Sequence, residues 1–278
     1  MSVRAAAVAG SWYPGTRGAL TREVTDYLAA APEGPHGTIA AVIVPHAGLM
    51  FSGAVAAHAY KAAARGEYGV VVLAGPSHFV GFDGVAVYPD GAFETPMGLA
   101  SIDSDVAVRL ARYPGIRAMP DAHVREHSLE MQLPFISHVL PNVRIVPLLM
   151  GYQARETIQQ LASALAGALS GTPSLIVASS DLSHYFDASQ AVALDGRVQD
   201  YVARFDPDGL LDHAEEYPEH ERGRYVGCGV GPVISVMMAA RTLGAREARV
   251  LKYAHSGEVS GDYGGVVGYL SAAIGTFA

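Results

Sequence analysis

Four polar side chains follow three separate apolar runs of the sequence. His46 follows TIAAVIVP and His78 follows YGVVVLAGPS. Asp181 and His184 lie in SLIVASSDLSH, after its apolar run SLIVA. If the three runs are parallel strands of one sheet, their carboxyl ends meet at one edge, which is where open α/β folds bind ligands. The pattern therefore predicts a metal site or a catalytic pocket at that edge.

Alternating strand and helix signals place these residues in an α/β fold. The runs are continuous in Val, Ile and Leu, which is typical of strands buried on both faces in a parallel or mixed sheet. Helices are predicted before and between them, for example over residues 17–31 and 52–64. Since the 278 residues contain no low-complexity linker or internal repeat, we expect a single domain over residues 1–278, with a mostly parallel or mixed sheet flanked by helices.

Each of the four residues also has a simpler interpretation. His46 and His78 follow breaks that contain Pro, and either could instead hydrogen-bond the start of the next helix. Asp181 and His184 are three apart and would share one side of a helical turn, but Asp181 or Ser180 could be only the N-cap of that helix. The recurrence of histidine at two strand ends favours binding.

Neutral imidazoles from different strand ends suit a divalent metal such as Fe(II), Zn(II) or Cu(II). A third, anionic ligand could come from Cys228, Glu130 or Asp181. Cys228 lies in a glycine-rich turn before a predicted helix, where the helix dipole favours a thiolate. A buried, inert side chain is the alternative for a lone cysteine.

Three further residues are candidates for the wall of a pocket. His127 and Glu130 are three apart in a helix predicted over 126–140, so they would share one face. Trp12 is the single tryptophan and lies in the loop AGSWYPG, where it could line a pocket or pack beneath the N-terminal turn. Histidines without a comparable setting are interpreted as surface or helix residues: His58, His138, His213, His220 and His255.

Charge, hydropathy and motif content exclude several classes of protein. A net charge of −8 without a basic patch argues against a nucleic-acid partner. No apolar stretch of about 18 residues occurs, so we expect no membrane partner and a cytoplasmic location. The sequence also lacks the G-x-S-x-G elbow of serine hydrolases, a P-loop and a dinucleotide-binding fingerprint.

A collinear series of motifs along nearly the whole chain resembles the Memo family, whose prokaryotic members are called AmmeMemoRadiSam system protein B. The motifs are AGSWYP, PHAG, GPSH, FETPMG, EHSLEMQLPF, SSDLSHY and C-G-x-x-P. Members of that family resemble class III extradiol dioxygenases in fold. In those dioxygenases two histidines and a glutamate hold a non-haem Fe(II), and another histidine acts as acid and base.

The resemblance implies a metal site built from His46, His78 and Cys228, with the cysteine in the place of the dioxygenase carboxylate. It implies Fe(II) as the first choice of metal, with Cu or Zn as alternatives, because sulfur shifts the preference toward softer ions. One position departs from the family pattern: PHAG is followed by Leu49, where a tyrosine is common. This departure bears on the substrate more than on the metal.

The resemblance also assigns roles around the metal. His184 would be the acid and base, with Asp181 beside it, while Trp12, His127 and Glu130 would line the substrate cavity. Two functions follow from this assignment. The first is a metal-dependent oxidoreductase acting on a small molecule, and the second is a non-catalytic protein that binds a peptide or small ligand in the same pocket. The family name further implies a functional link to a radical-SAM protein.

Overall fold

The chain is described by a computed structural model that covers residues 2–278. Its strands, in chain order, are β1 (Val3–Arg4), β2 (Gly37–Val44), β3 (Val70–Pro76), β4 (Val85–Val87), β5 (Ala92–Thr95), β6 (Gly98–Ser101), β7 (Ile116–Ala118), β8 (Arg144–Met150), β9 (Ser174–Ser179), β10 (His184–Phe186), β11 (Glu247–His255) and β12 (Val266–Phe277). Its helices are α1 (Arg17–Ala30), α2 (Leu49–Ala63), α3 (Ser104–Leu110), α4 (Pro120–His123), α5 (Leu133–Val139), α6 (Arg155–Leu169), α7 (Ala188–Ala203), α8 (Pro207–Glu215), α9 (Glu219–Tyr225), α10 (Val230–Thr242) and α11 (Gly257–Ser260).

Nine of the strands form the central sheet, in the order β10-β12-β2-β9-β3-β8-β4-β7, with β11 also paired to β12. The four strands β2, β9, β3 and β8 are parallel. The sheet is mixed because β12 runs antiparallel to β2 and β4 runs antiparallel to β8. A separate three-stranded sheet is formed by β1, β5 and β6. The predicted single α/β domain with a mixed sheet is confirmed.

The parallel centre of the sheet is covered by helices and forms the core. Every residue of β3 is buried, as its uninterrupted apolar sequence predicts for a strand covered on both faces. Helices α6 and α10 pack on each other beside β3, and α2 packs on β2 and β12. Tyr60 of α2 stacks on Phe135 of α5, with ring centroids 5.1 Å apart. No helix among residues 2–278 is long and apolar enough to cross a bilayer.

The helix predicted over 126–140 is wrong in its first half. Only Leu133–Val139 is α-helical, preceded by one 3₁₀ turn over Glu130–Gln132. The carboxylate of Glu126 accepts the amide protons of His127 and Ser128. A side chain that bonds its own backbone in this way competes with helix formation. The segment therefore stays irregular where the sequence predicts a helical face.

The helical turn predicted at Asp181 and His184 is also wrong. His184 begins strand β10, and the amide of Leu182 donates to the carbonyl of Gly268 in β12. The Ser180 hydroxyl donates to the carbonyl of Asp181 and accepts the amide proton of Gly229, so it caps no helix in its own segment. Pairing with β12 thus wins over the local capping signal. His255, interpreted as a surface or helix residue, is instead buried in strand β11.

Candidate metal centre and its cavity

Three adjacent parallel strands carry polar residues just beyond their carboxyl ends. His46 lies two residues after β2, His78 two residues after β3, and Asp181 two residues after β9. Strand β9 lies between β2 and β3 and pairs with both. The structure therefore brings these three residues to one sheet edge, as the strand pattern predicts.

Cys228 reaches the same edge from the turn before α10. Its Sγ lies 3.2 Å from His46 Nε2. The neighbouring Gly229 makes this approach possible, because a Cβ at that position would lie 2.3 Å from the carbonyl oxygen of Ser179. The potential ligand atoms of His46, His78 and Cys228 all lie within 4.8 Å of one another.

The donor set fits a metal ion. Two imidazoles and a thiolate are ligands that Fe, Cu and Zn share. Bonds of about 2.0–2.3 Å let one ion bridge ligand atoms separated by roughly 4 Å, close to the spacing of this group. His46, His78 and Cys228 are therefore the residues that would hold the ion, with the cavity side left for other ligands.

His46 is buried, with 2 % of its surface exposed. Its Nδ1 lies 2.8 Å from the Ser179 hydroxyl, so the Nε2 atom is the one that faces Cys228. Burial, followed by the nearby charge of His78, lowers the pKa of His46 well below its usual value. The ring is neutral at physiological pH, which is the form that binds a metal.

His78 is held by a buried carboxylate. The Glu126 Oε1 atom lies 2.9 Å from His78 Nδ1, and Oε2 accepts the His78 amide proton at 2.6 Å. Burial opposes a charge on the ring, but contacts with Cys228 and Glu126 raise the pKa of His78 to about 10. Burial also raises the pKa of the Cys228 thiol. The metal-free site therefore holds protons that an incoming cation must displace.

A second group, formed by His78, Glu126 and His127, also has its potential ligand atoms within 4.8 Å of one another. The carboxylate of Glu126 is already occupied, however, by the ring and amide of His78 and by the amides of His127 and Ser128. Three of these donors share Oε1 and the fourth bonds Oε2, so the carboxylate is engaged in holding His78 and the local backbone. We therefore assign this group to the support of the site rather than to a second ion.

A cavity of about 1020 Å³ is bordered by the three candidate ligands and by aromatic rings. The Trp12 ring lies 4.4 Å from that of His127, centroid to centroid, and His127 stacks on His78 at 4.6 Å. Burial and the charge of His78 lower the pKa of His127 to about 4, so this ring is neutral. Trp12 and His127 thus form one wall of the cavity that leads to the ligand His78.

Asp181 and His184 also border the cavity. The Oδ1 atom of Asp181 accepts the amide proton of His46 at 2.7 Å, and burial raises the pKa of this carboxyl. His184 is partly exposed, but its Nδ1 atom is buried and makes no hydrogen bond with residues 2–278. The ring edge that meets the cavity is therefore the one that carries Nε2.

The prediction that Glu130 lines the cavity is not met, and Glu130 is not a ligand either. Its side chain is fully buried away from the cavity lining. It forms a salt bridge with Arg4 and accepts protons from the Tyr13 hydroxyl and from the amides of Ala7 and Val8. Glu130 instead fixes the N-terminal loop that carries the cavity wall. The expected shared helical face with His127 is absent because this segment is not a helix.

Other residues at the site were missed from the sequence. Glu126 and Ser179 contact the two histidine ligands, and only their position inside the motifs EHSLEMQLPF and SSDLSHY could have indicated them. Tyr185, His220 and Arg224 border the cavity mouth. Tyr185 has a φ of 63°, a left-handed conformation that is costly for a side-chain-bearing residue and clusters at functional sites.

Comparison with known proteins identifies the family. A family model described as Memo-like protein matches residues 4–273. This chain belongs to the Memo family. It is 38 % identical to a MEMO1 family protein of Methanothermobacter thermautotrophicus, over 96 % of this chain and 98 % of the relative. It is 37 % identical to a MEMO1 family protein of Methanopyrus kandleri, over 96 % of each chain.

Among solved structures, this Memo chain is similar to an uncharacterized protein of Escherichia coli K12. The TM-score is 0.61 at 14 % sequence identity, with 86 % of this chain and 100 % of the other covered. At this identity the likeness shows a shared fold. The family predicted from the collinear motifs is confirmed. Both relatives align with nearly the whole chain.

Proposed function

We propose that this Memo-family protein is a metal-dependent oxidoreductase, with Fe(II) as the first choice of metal and His46, His78 and Cys228 as its ligands. The observation that carries the proposal is the convergence of two imidazoles and one thiol within 4.8 Å at the edge of a cavity. A metal that only stabilised the fold would be enclosed by four protein ligands, whereas three ligands beside a cavity leave a position open.

A bound Fe(II) supplies Lewis acidity and redox chemistry at this point of the cavity. The protein's own groups supply the rest. Trp12 and His127 present ring faces that orient a planar substrate, and the cavity separates it from bulk water. His184 exchanges a proton with the substrate through Nε2, the nitrogen on its unburied edge. Asp181 holds the backbone of His46 and contributes a carboxyl beside His184.

The test of this proposal is oxygen consumption by anaerobically Fe(II)-loaded protein supplied with catechols or other chelating substrates. A His184→Ala variant should keep its metal and lose about a hundredfold or more in rate, the range typical of general acid–base catalysis. His138→Ala is the matched control, because His138 does not border the cavity. Equal rates in wild type and His184→Ala would remove His184 from the mechanism.

A second candidate function is the binding of a peptide or small ligand without catalysis. It is favoured by exposed apolar side chains around the cavity mouth, where Trp12, Met50 and Tyr185 expose 39 %, 64 % and 71 % of their surface. A cavity that served only chemistry would have little need of such a rim. Metal-loaded protein that consumes no oxygen with any chelating substrate, yet binds peptides through this rim, would favour the second function.

A further inference from the structure

Each of the two histidine ligands contacts a protein oxygen through the nitrogen that faces away from the metal position. His46 Nδ1 lies 2.8 Å from Ser179 Oγ, and His78 Nδ1 lies 2.9 Å from Glu126 Oε1. A neutral imidazole binds a metal only through the nitrogen without a proton. Whether Nδ1 of each ring carries a proton is therefore decided by what Ser179 and Glu126 can donate or accept.

Hydrogen-bond counting at Ser179 settles the proton on His46. Ser179 Oγ lies 2.7 Å from the carbonyl oxygen of Ser128, an atom that can only accept, so the hydroxyl proton points there. Gln132 Nε2 donates to the same Oγ at 2.9 Å, an orientation fixed by the Tyr60 hydroxyl, which donates to Gln132 Oε1. With its one proton used, Ser179 can only accept from His46. His46 therefore carries its proton on Nδ1 and a lone pair on Nε2.

The carboxylate of Glu126 settles the proton on His78. It is 2 % exposed and accepts the His78 ring proton and the amide protons of His78, His127 and Ser128, at 2.6–2.9 Å. An ionised carboxylate has no proton to give, so His78 Nδ1 must be a donor. The Nε2 atom of His78 is then the nitrogen that binds a metal once it has given up its own proton.

One short segment supports both rings. The amide of Ser128 donates to Glu126, its carbonyl accepts from Ser179, and its hydroxyl donates to the carbonyl of Pro76 at the end of β3. His46 and His78 are thus supported through the same residue although they follow different strands. Such supports determine the orientation and basicity of metal-binding histidines.

We propose that Glu126 and Ser179 are positioning residues that keep a proton on Nδ1 of both histidines, so that Nε2 is turned to the metal position before any ion arrives. On His78, Nε2 gives up its own proton when the metal binds. This inference rests on the proposed metal site and adds how the site is prepared. Glutamine cannot replace Glu126, because its amide group would place an NH₂ against one of the four N–H donors. Alanine cannot replace Ser179, because it leaves the His46 Nδ1 proton without an acceptor.

Zn(II) affinity, measured by competition with a chromophoric chelator, tests the role of Glu126. We expect Glu126→Gln to lose about ten- to a hundredfold in affinity, the range typical of residues that support metal ligands. Asp103→Asn is the matched control: Asp103 is also a buried carboxylate that accepts an amide proton, from Val106, but it contacts neither histidine. Wild-type affinity in Glu126→Gln, or an equal loss in both variants, would overturn the proposal.

The tautomer of His46 can be read without metal, from ¹⁵N chemical shifts of the imidazole nitrogens in metal-free protein. We expect Nδ1–H in wild type and in the control Ser235→Ala, whose hydroxyl bonds only the carbonyls of Ile158 and Gly231. Ser179→Ala should lose this preference. An Nε2–H tautomer in wild type would refute the inference. If these shifts and affinity losses are as expected but the Fe(II)-loaded protein consumes no oxygen, only the oxidoreductase function is refuted.

Discussion

Replacement of Gly229 by alanine should displace Cys228 and weaken metal binding without touching any ligand. A Cβ at Gly229 would lie 2.3 Å from the carbonyl oxygen of Ser179, 2.9 Å from Ser180 Cβ and 3.1 Å from Pro76 Cδ. Ordinary carbon contacts are about 3.5 Å or longer, so the turn must retreat by about 1 Å. A functional site tolerates displacements of only about 0.5 Å, so we expect at least a tenfold loss of Zn(II) affinity, or about 1.4 kcal/mol.

The same overlap should lower the free energy of unfolding by about 1–3 kcal/mol, as overpacking commonly does. Chelator competition measures the affinity, and urea unfolding of the metal-free protein measures the stability. Gly196→Ala is the matched control, since nothing lies within 4 Å of a Cβ at that helical position. If Gly229→Ala protein binds Zn(II) as tightly as wild type, the position of Cys228 is not critical to metal binding.

Three further predictions concern the pH dependence of metal binding, the fluorescence of Trp12 and the salt bridge between Arg4 and Glu130. Although burial opposes a charge on His78, its contacts with Cys228 and Glu126 raise its pKa to about 10. Zn(II) must then displace a proton, so its affinity should rise with pH through the neutral range. Proton release in weakly buffered titrations measures this, and an affinity that does not change with pH would contradict it. Cu(II) should quench the fluorescence of Trp12, the single tryptophan, because the Trp12 ring lies 4.4 Å from that of His127, which stacks on His78. Undiminished emission from a Cu(II)-loaded sample would place the ion elsewhere. Arg4→Ala should lower the free energy of unfolding in urea by about 3–5 kcal/mol, because it leaves the buried Glu130 carboxylate without its partner. Loss of the exposed Arg155 should cost far less, and similar losses in the two variants would contradict this.

Local patterns in the sequence were sufficient to predict the sheet edge. His46 and His78 follow uninterrupted apolar runs, and the adjacency of parallel strands then brings their ends together. Cys228 was one of three candidates for the third ligand, and only the family resemblance singled it out, because it contacts His46 across 182 positions of chain. No periodicity in the sequence reports such a contact.

The failures have a common physical cause. His127 and Glu130 have helical spacing, but the carboxylate of Glu126 bonds the local backbone and the segment leaves the helical conformation. Glu130 turns instead to Arg4, 126 positions away. Asp181 has the position of a helix cap, yet it bonds the amide of His46. A side-chain bond to the neighbouring backbone at Glu126, and tertiary hydrogen bonds at Glu130 and Asp181, thus override the preferences read from spacing, as is expected where buried polar groups must find partners.

The metal site itself is tested most directly by the metal content of protein purified anaerobically and kept reduced, since oxidation of Cys228 would remove a ligand. We expect about one Fe, Cu or Zn ion per chain in wild type, as a single three-ligand site requires. A His46→Ala, His78→Ala double variant should contain almost none. Unchanged metal content in the double variant would show that His46 and His78 do not hold the ion.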